Sequence, residues 1–156
     1  AFAKSINSDD IWPCLVEKAY AKLFGTYENL IAGFSLEAFG ILTGAPTEQL
    51  IIKHKTIIER IEEGLLQGFA ITAITPKIPK EKRDEYKESI GLGSSHCYTV
   101  LRIFTLTDHR LIMLRNPNMK LKWKGDWSDS CPKWTSEIRE HVGFSMEDEG
   151  RFFMSE

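Results

Sequence analysis

At 156 residues and 42% hydrophobic content, the chain can bury a sizeable core and is expected to form a single domain over residues 1–156. Twenty basic residues against twenty-two acidic ones leave a net charge of −2. That balance excludes an electrostatic case for nucleic acid. No basic amphipathic stretch or bilayer-length apolar run points to a membrane.

Cys14, Cys97 and Cys131 are odd in number and widely spaced. They form no CxxC pair, which argues against a zinc site or a disulfide framework and fits a reducing, cytoplasmic compartment. No secretory leader is visible, and the chain starts at Ala1, as a segment cut from a larger protein would.

In chain order, Pro13 suits the first position of a helix, with Trp12 before it extended. Leu15, Val16, Ala19, Tyr20 and Leu23 recur at helical spacing, and Gly25 is a natural stop. A second helix is expected over Ser35–Leu42, with Ser35 as N-cap and Gly44 as terminator. A third is expected to open at Thr47, carry an apolar stripe from Leu50 to Leu65 and close at Gly68.

Phe69–Thr75 then reads as a buried strand. Pro76–Ser89 is charged and proline-bearing, and reads as a solvated loop or as a flap over a cleft. Tyr98–Leu106 and Arg110–Arg115 flank a turn at Asp108 and predict a hairpin. A helix near Ser136–Val142 and a strand at Arg151–Met154 complete the chain.

The chemistry concentrates at that hairpin. An imidazole that draws a proton from a thiol makes it a nucleophile, and it works best with its tautomer and orientation held. A buried Asn carbonyl can hold it without adding charge. His96 opens one predicted strand and Asn116 closes the next, so they could form such a pair.

Two considerations oppose this. A surface histidine and an Asn-Pro turn explain the same spacing. With the turn at Asp108, His96 also lies twelve residues before the centre and Asn116 eight after. The offset is about 13 Å, which a bulge, a wider loop or a sharp twist would have to close.

No local thiol completes the set. Cys97 points to the strand face opposite His96, Cys14 is expected to be a buried structural thiol, and Cys131 sits in a Ser-Cys-Pro loop with nothing activating beside it.

Several motifs in order resemble the calpain family, specifically the second subdomain of its protease core. They are Phe2-Ala3-Lys4-Ser5, then Trp12-Pro13-Cys14 through Leu23, Gly25-Thr26-Tyr27-Glu28, and Leu42-Thr43-Gly44. His96 with Tyr98 and Val100, then Arg115-Asn116-Pro117, stand at the family's catalytic histidine and asparagine segments. Trp123, Gly125, Trp127, Asp129, Gly150, Phe152, Met154 and Ser155 complete the series.

The resemblance implies an α+β, papain-like half domain: a twisted antiparallel sheet or open barrel flanked by three to four helices. His96 and Asn116 would be catalytic. The nucleophilic cysteine and the oxyanion-hole glutamine would belong to a partner half N-terminal to residue 1, with a peptide substrate across the cleft. The isolated chain is then expected to cleave nothing, and Glu156 falls inside the last family motif.

Three departures qualify this. Asn118 stands where calpains carry a Trp that covers the His–Asn bond, Met119 replaces the next glycine, and Ser95 replaces a glycine before the histidine. Calpains also bind calcium in this subdomain through acidic residues. Asp129 and Glu149 match two of these, whereas Lys122 and Arg151 replace two others with cations that oppose binding. A catalytically degenerate binding or scaffold module is therefore the alternative, and a calcium-responsive binding domain a third reading.

Overall fold

The chain falls into two compact units, residues 1–49 and 50–156. The structure, a computed structural model, describes residues 3, 5, 7, 9–52, 56–118, 120–146 and 150–156.

The first unit holds α1 (Trp12–Leu23), a 3-10 turn at Glu28–Leu30 and α2 (Ser35–Thr43). Helix α1 begins one residue earlier than the proline suggests: Trp12 is helical rather than extended, and Ile11 before it is already in the right-handed region. Pro13 remains inside the first turn, where its missing N–H costs no hydrogen bond. Helix α2 ends on the left-handed Gly44 as expected, but Ser35 is its first helical residue and the extended Phe34 precedes it.

The second unit is built on a four-stranded antiparallel meander, in the order β1 (Ile71–Ile74), β2 (Cys97–Thr105), β3 (Arg110–Arg115), β4 (Arg151–Ser155). Three helices accompany it: α3 (Ile57–Leu66), α4 (Arg83–Ile90) and α5 (Ser136–Val142). Five α-helices and an open antiparallel sheet among the described residues make this an α+β protein.

Alternation along the strands sends side chains into two cores. Phe152 and Phe153 are neighbours on β4, yet they belong to different clusters, one on each face of the sheet. On one face Tyr98, Val100, Leu114 and Phe152 pack with Ile61 and Leu65 of α3 and with Tyr86 and Ile90 of α4. On the other, Phe104, Leu111 and Phe153 pack with Trp127, Trp134 and Val142.

Three expectations are corrected. Helix α3 starts after Thr56, not at Thr47; Ile51 is 65% exposed outside it, and residues 53–55 lie outside the described set. Strand β1 is shorter than Phe69–Thr75 and only half-buried; among the described residues it is a sheet edge, with β2 as its one neighbour. Pro76–Ser89 is mostly not a loop: it holds a 3-10 turn at Lys80–Lys82 and then α4. That helix is charged because only Tyr86 and Ile90, one turn apart, face the core.

Candidate active site

Asn116 follows β3 immediately, and His96 precedes β2 by one residue. The ladder explains how they meet. Arg102–Thr105 pair with Met113–Arg110, which puts the hairpin centre between Thr107 and Asp108. A bulge then shifts the register between Val100 and Arg102, so that Thr99 pairs with Arg115. One further step sets Asn116 across from Tyr98.

Each shift removes one residue from the expected offset, leaving about 7 Å along the strand. Parity matters as much as distance. With Leu101 paired regularly, Asn116 would face Thr99 and point to the sheet side opposite His96. The bulge returns it to the side shared by His96 and Tyr98.

The two side chains meet: His96 Nε2 lies 3.0 Å from Asn116 Oδ1. Asn116 is 1% exposed and is the one fully buried polar residue among those described. Its amide orientation follows from its partners. Nδ2 donates to the Leu121 carbonyl at 3.0 Å, and Oδ1 accepts the Asn118 backbone N–H at 3.0 Å. A carbonyl can only accept and a backbone N–H can only donate, so the flipped amide would lose both bonds. Oδ1 therefore faces the imidazole, and the neutral ring must carry its proton on Nε2. Its lone pair then sits on Nδ1, the nitrogen left to take a proton from elsewhere.

The surroundings hold both groups. The Asn116 N–H donates to the Gly150 carbonyl at 2.8 Å, tying the end of β3 to the start of β4. Leu121 is positioned by a close crossing: Lys124 N–H donates to Ile90 O at 3.0 Å, and Gly91 lies against the Lys122 carbonyl. A Cβ at Gly91 would come within 1.8 Å of that oxygen, and its φ of 77° is left-handed. Only glycine meets both demands.

The Tyr98 ring stands edge-on to the imidazole with centroids 4.8 Å apart. Its hydroxyl accepts the Gly93 N–H at 2.9 Å, and burial pushes its phenol pKa up against that hydrogen bond. Tyr98, Thr75 and the Leu121 carbonyl were not singled out as site residues from sequence. Two signals mark Tyr98 in the sequence: its membership of the histidine segment and its place two residues after His96, hence on the same face.

The departures noted from sequence fall as follows. Asn118 is exposed, and its contribution to the pair is its backbone N–H. Ser95 adopts φ 48°, a conformation that favours glycine. Met119 and Glu149 lie outside the described residues.

Asp129 is met by Lys122, whose Nζ lies 3.6 Å from a carboxylate oxygen. Among the described residues no three His, Cys, Asp or Glu side chains gather to hold a metal. A calcium ion needs six to eight oxygens, and an ammonium supplies none and repels the ion. The residues described around Asp129 do not fit calcium.

Cys97 adjoins His96 in sequence, and none of the three cysteines is in a disulfide. Cys131 is buried in the core, and Cys97 leaves the strand on the face opposite His96. Cys14 corrects the expectation of burial: it is exposed, with Sγ donating to the Ala3 carbonyl at 3.3 Å.

The second unit is thus an antiparallel α+β unit in which a histidine and a buried asparagine meet at one end of a hairpin. The sequence comparisons give the class of protein. The model of the calpain family cysteine proteases matches residues 1–156, and the chain belongs to this family.

The calpain-type cysteine protease DEK1 of Arabidopsis thaliana is 35% identical over 99% of this chain and 8% of its own length. Calpain-9 of Mus musculus is 34% identical over 99% of this chain and 24% of its own length. Calpain-12 of the same species is 35% identical over 98% and 22%. The chain thus spans between 8% and 24% of these relatives. Among the described residues, no helix is long and apolar enough to cross a membrane.

Proposed function

We propose that this chain is the C-terminal catalytic subdomain of a calpain-like cysteine endopeptidase, supplying the His and Asn of a Cys-His-Asn triad. His96 takes the proton of a thiol through Nδ1 and later returns it to the leaving amine. Asn116 keeps that nitrogen unprotonated and aimed. The nucleophilic cysteine comes from a partner half of the same core outside this chain, and a peptide lies across the cleft between them. The observation that carries this reading is the 3.0 Å Nε2–Oδ1 contact within a network that leaves one orientation for the amide. Three free cysteines accord with a reducing, cytoplasmic setting.

The full-length protein carrying this segment should cleave an unstructured peptide. His96→Ala should lower kcat by about 10²–10⁴-fold. The isolated chain should cleave nothing. Peptidase activity from it, abolished by an alkylating agent, would place the nucleophile inside the chain and sink the partner-half claim. A full-length protein that cleaves equally well with His96→Ala would sink the catalytic role.

One observation favours a second reading, a degenerate calpain-like binding module: Asn118 is exposed beside the His–Asn bond. Water admitted there raises the local dielectric and weakens the bond. No turnover from a full-length protein that retains the partner-half cysteine would select this reading.

A further inference from the structure

His96 lies one residue outside β2, beyond the last ladder pair of Ile74 with Cys97. The turn leading to it includes the left-handed Ser95, a conformation that needs support from its surroundings. The Ser95 N–H donates to the Pro76 carbonyl at 3.1 Å and the Ser94 hydroxyl accepts the Ile78 N–H at 2.8 Å, and the rest of the support comes from Thr75, just beyond β1. Its hydroxyl accepts the His96 N–H at 3.0 Å and donates its one proton to the Gly93 carbonyl at 2.6 Å, the shorter of two choices, the His96 carbonyl lying at 3.2 Å. Its own N–H donates to the His96 carbonyl at 3.0 Å. One residue thus grips both backbone groups of His96 and the far end of the turn. Gly93 is held in addition by the Tyr98 hydroxyl, whose ring braces the imidazole.

We propose that Thr75 is a positioning residue for the reaction, its hydroxyl setting where the His96 imidazole stands between Asn116 and the incoming thiol. This rests on the protease reading above. Valine has nearly the same shape but no hydroxyl, so Thr75→Val removes both side-chain bonds and leaves His96 N–H and Gly93 C=O without that partner. Serine keeps both bonds. A ring displaced by about an ångström keeps the substrate groove but loses alignment with the thiol, and such misplacement can cost about 10²-fold in rate.

The test compares full-length wild type, Thr75→Val, Thr75→Ser and His96→Ala on one peptide substrate. It also records the pH dependence of alkylation of the nucleophilic cysteine by iodoacetamide. Thr75→Val should lower kcat about 10–100-fold with KM within about twofold, and its alkylation profile should move toward that of an unassisted thiol. Thr75→Ser should keep both the rate and the profile.

A folded Thr75→Val enzyme with wild-type kcat, beside an inactive His96→Ala, would overturn the inference and leave the protease reading standing. A Thr75→Ser enzyme as impaired as the valine variant would also overturn it, and this arm holds even where Thr75→Val does not fold. Wild type and His96→Ala cleaving alike would instead remove the catalytic role of His96, and the inference with it.

Discussion

A buried asparagine with a histidine as one of its partners is stable only while every partner stays in place. Asn116 leaves its Oδ1 with two donors and gives Nδ2 a carbonyl. Asn116→Ala should cost about 1–3 kcal/mol, because the Leu121 carbonyl and Asn118 N–H lose their partner. Chemical denaturation measures this directly.

Two neighbours allow sharper tests. Ser95 at φ 48° carries strain that glycine lacks. After glycine's entropy cost, Ser95→Gly should stabilise by about 0.5–1 kcal/mol and raise the melting temperature by a few degrees. A lower melting temperature would contradict that reading of the turn.

Tyr98 has a raised phenol pKa, chiefly from burial. The folded state therefore holds the phenol proton more tightly than the unfolded chain. The associated stability is fully present below the unfolded value of about 10 and is lost as pH rises through the higher folded value. Tyr98→Phe should lose stability near neutrality through the bond from Gly93, and should show a weaker decline at alkaline pH. A decline as steep as wild type's would assign it to other groups.

At the scale of elements, a helix and a bulge deliver the pair. Helix α4 ends at Gly91, where the 121–125 segment crosses closely enough to fix the Leu121 carbonyl. Gly91→Ala should destabilise by at least about 2 kcal/mol, from backbone strain added to the contact with Lys122 O. It should also impair catalysis in the full-length protein through Asn116. A neutral melting shift would show that the crossing adjusts freely.

The sequence announced neither feature. Helix α4 hides in a charged stretch because only Tyr86 and Ile90 pack against the core, each partly buried, and two residues make no periodic stripe. Their spacing ahead of Gly91, among good helix formers, was the available signal. The bulge at Leu101 has no glycine to mark it, and bulge position depends on how both strands meet their neighbours. The hairpin itself, α5 and β4 were legible because alternation and turn residues are local. The start of α3 was misread because Leu50 and Ile51 extend its apolar pattern without entering the helix.

Over the whole molecule, the sheet of the second unit is covered on both faces by apolar clusters, and the His–Asn pair sits at one end of β2 and β3. The contact between His96 and Asn116 lies where ordered motifs, and not spacing, point, since spacing alone favours a surface histidine and an Asn-Pro turn. The frame around them was not legible in the sequence, because Thr75 and Leu121 act from separate segments that meet only after folding.

The charge arrangement at Asp129 also belongs to this scale. With Lys122 against the carboxylate, millimolar calcium should leave the melting temperature of the chain within about 1 °C. A rise of several degrees would mean that the lysine yields to the ion.

The most direct test of the steering by Asn116 is the ring-nitrogen NMR spectrum of His96 at a pH where the imidazole is neutral. The expected spectrum has the proton on Nε2 and a bare Nδ1, and Asn116→Ala should turn it into a mixture of tautomers. A wild-type ring protonated on Nδ1 would contradict the account, because the nitrogen meant to receive the thiol proton would already be occupied.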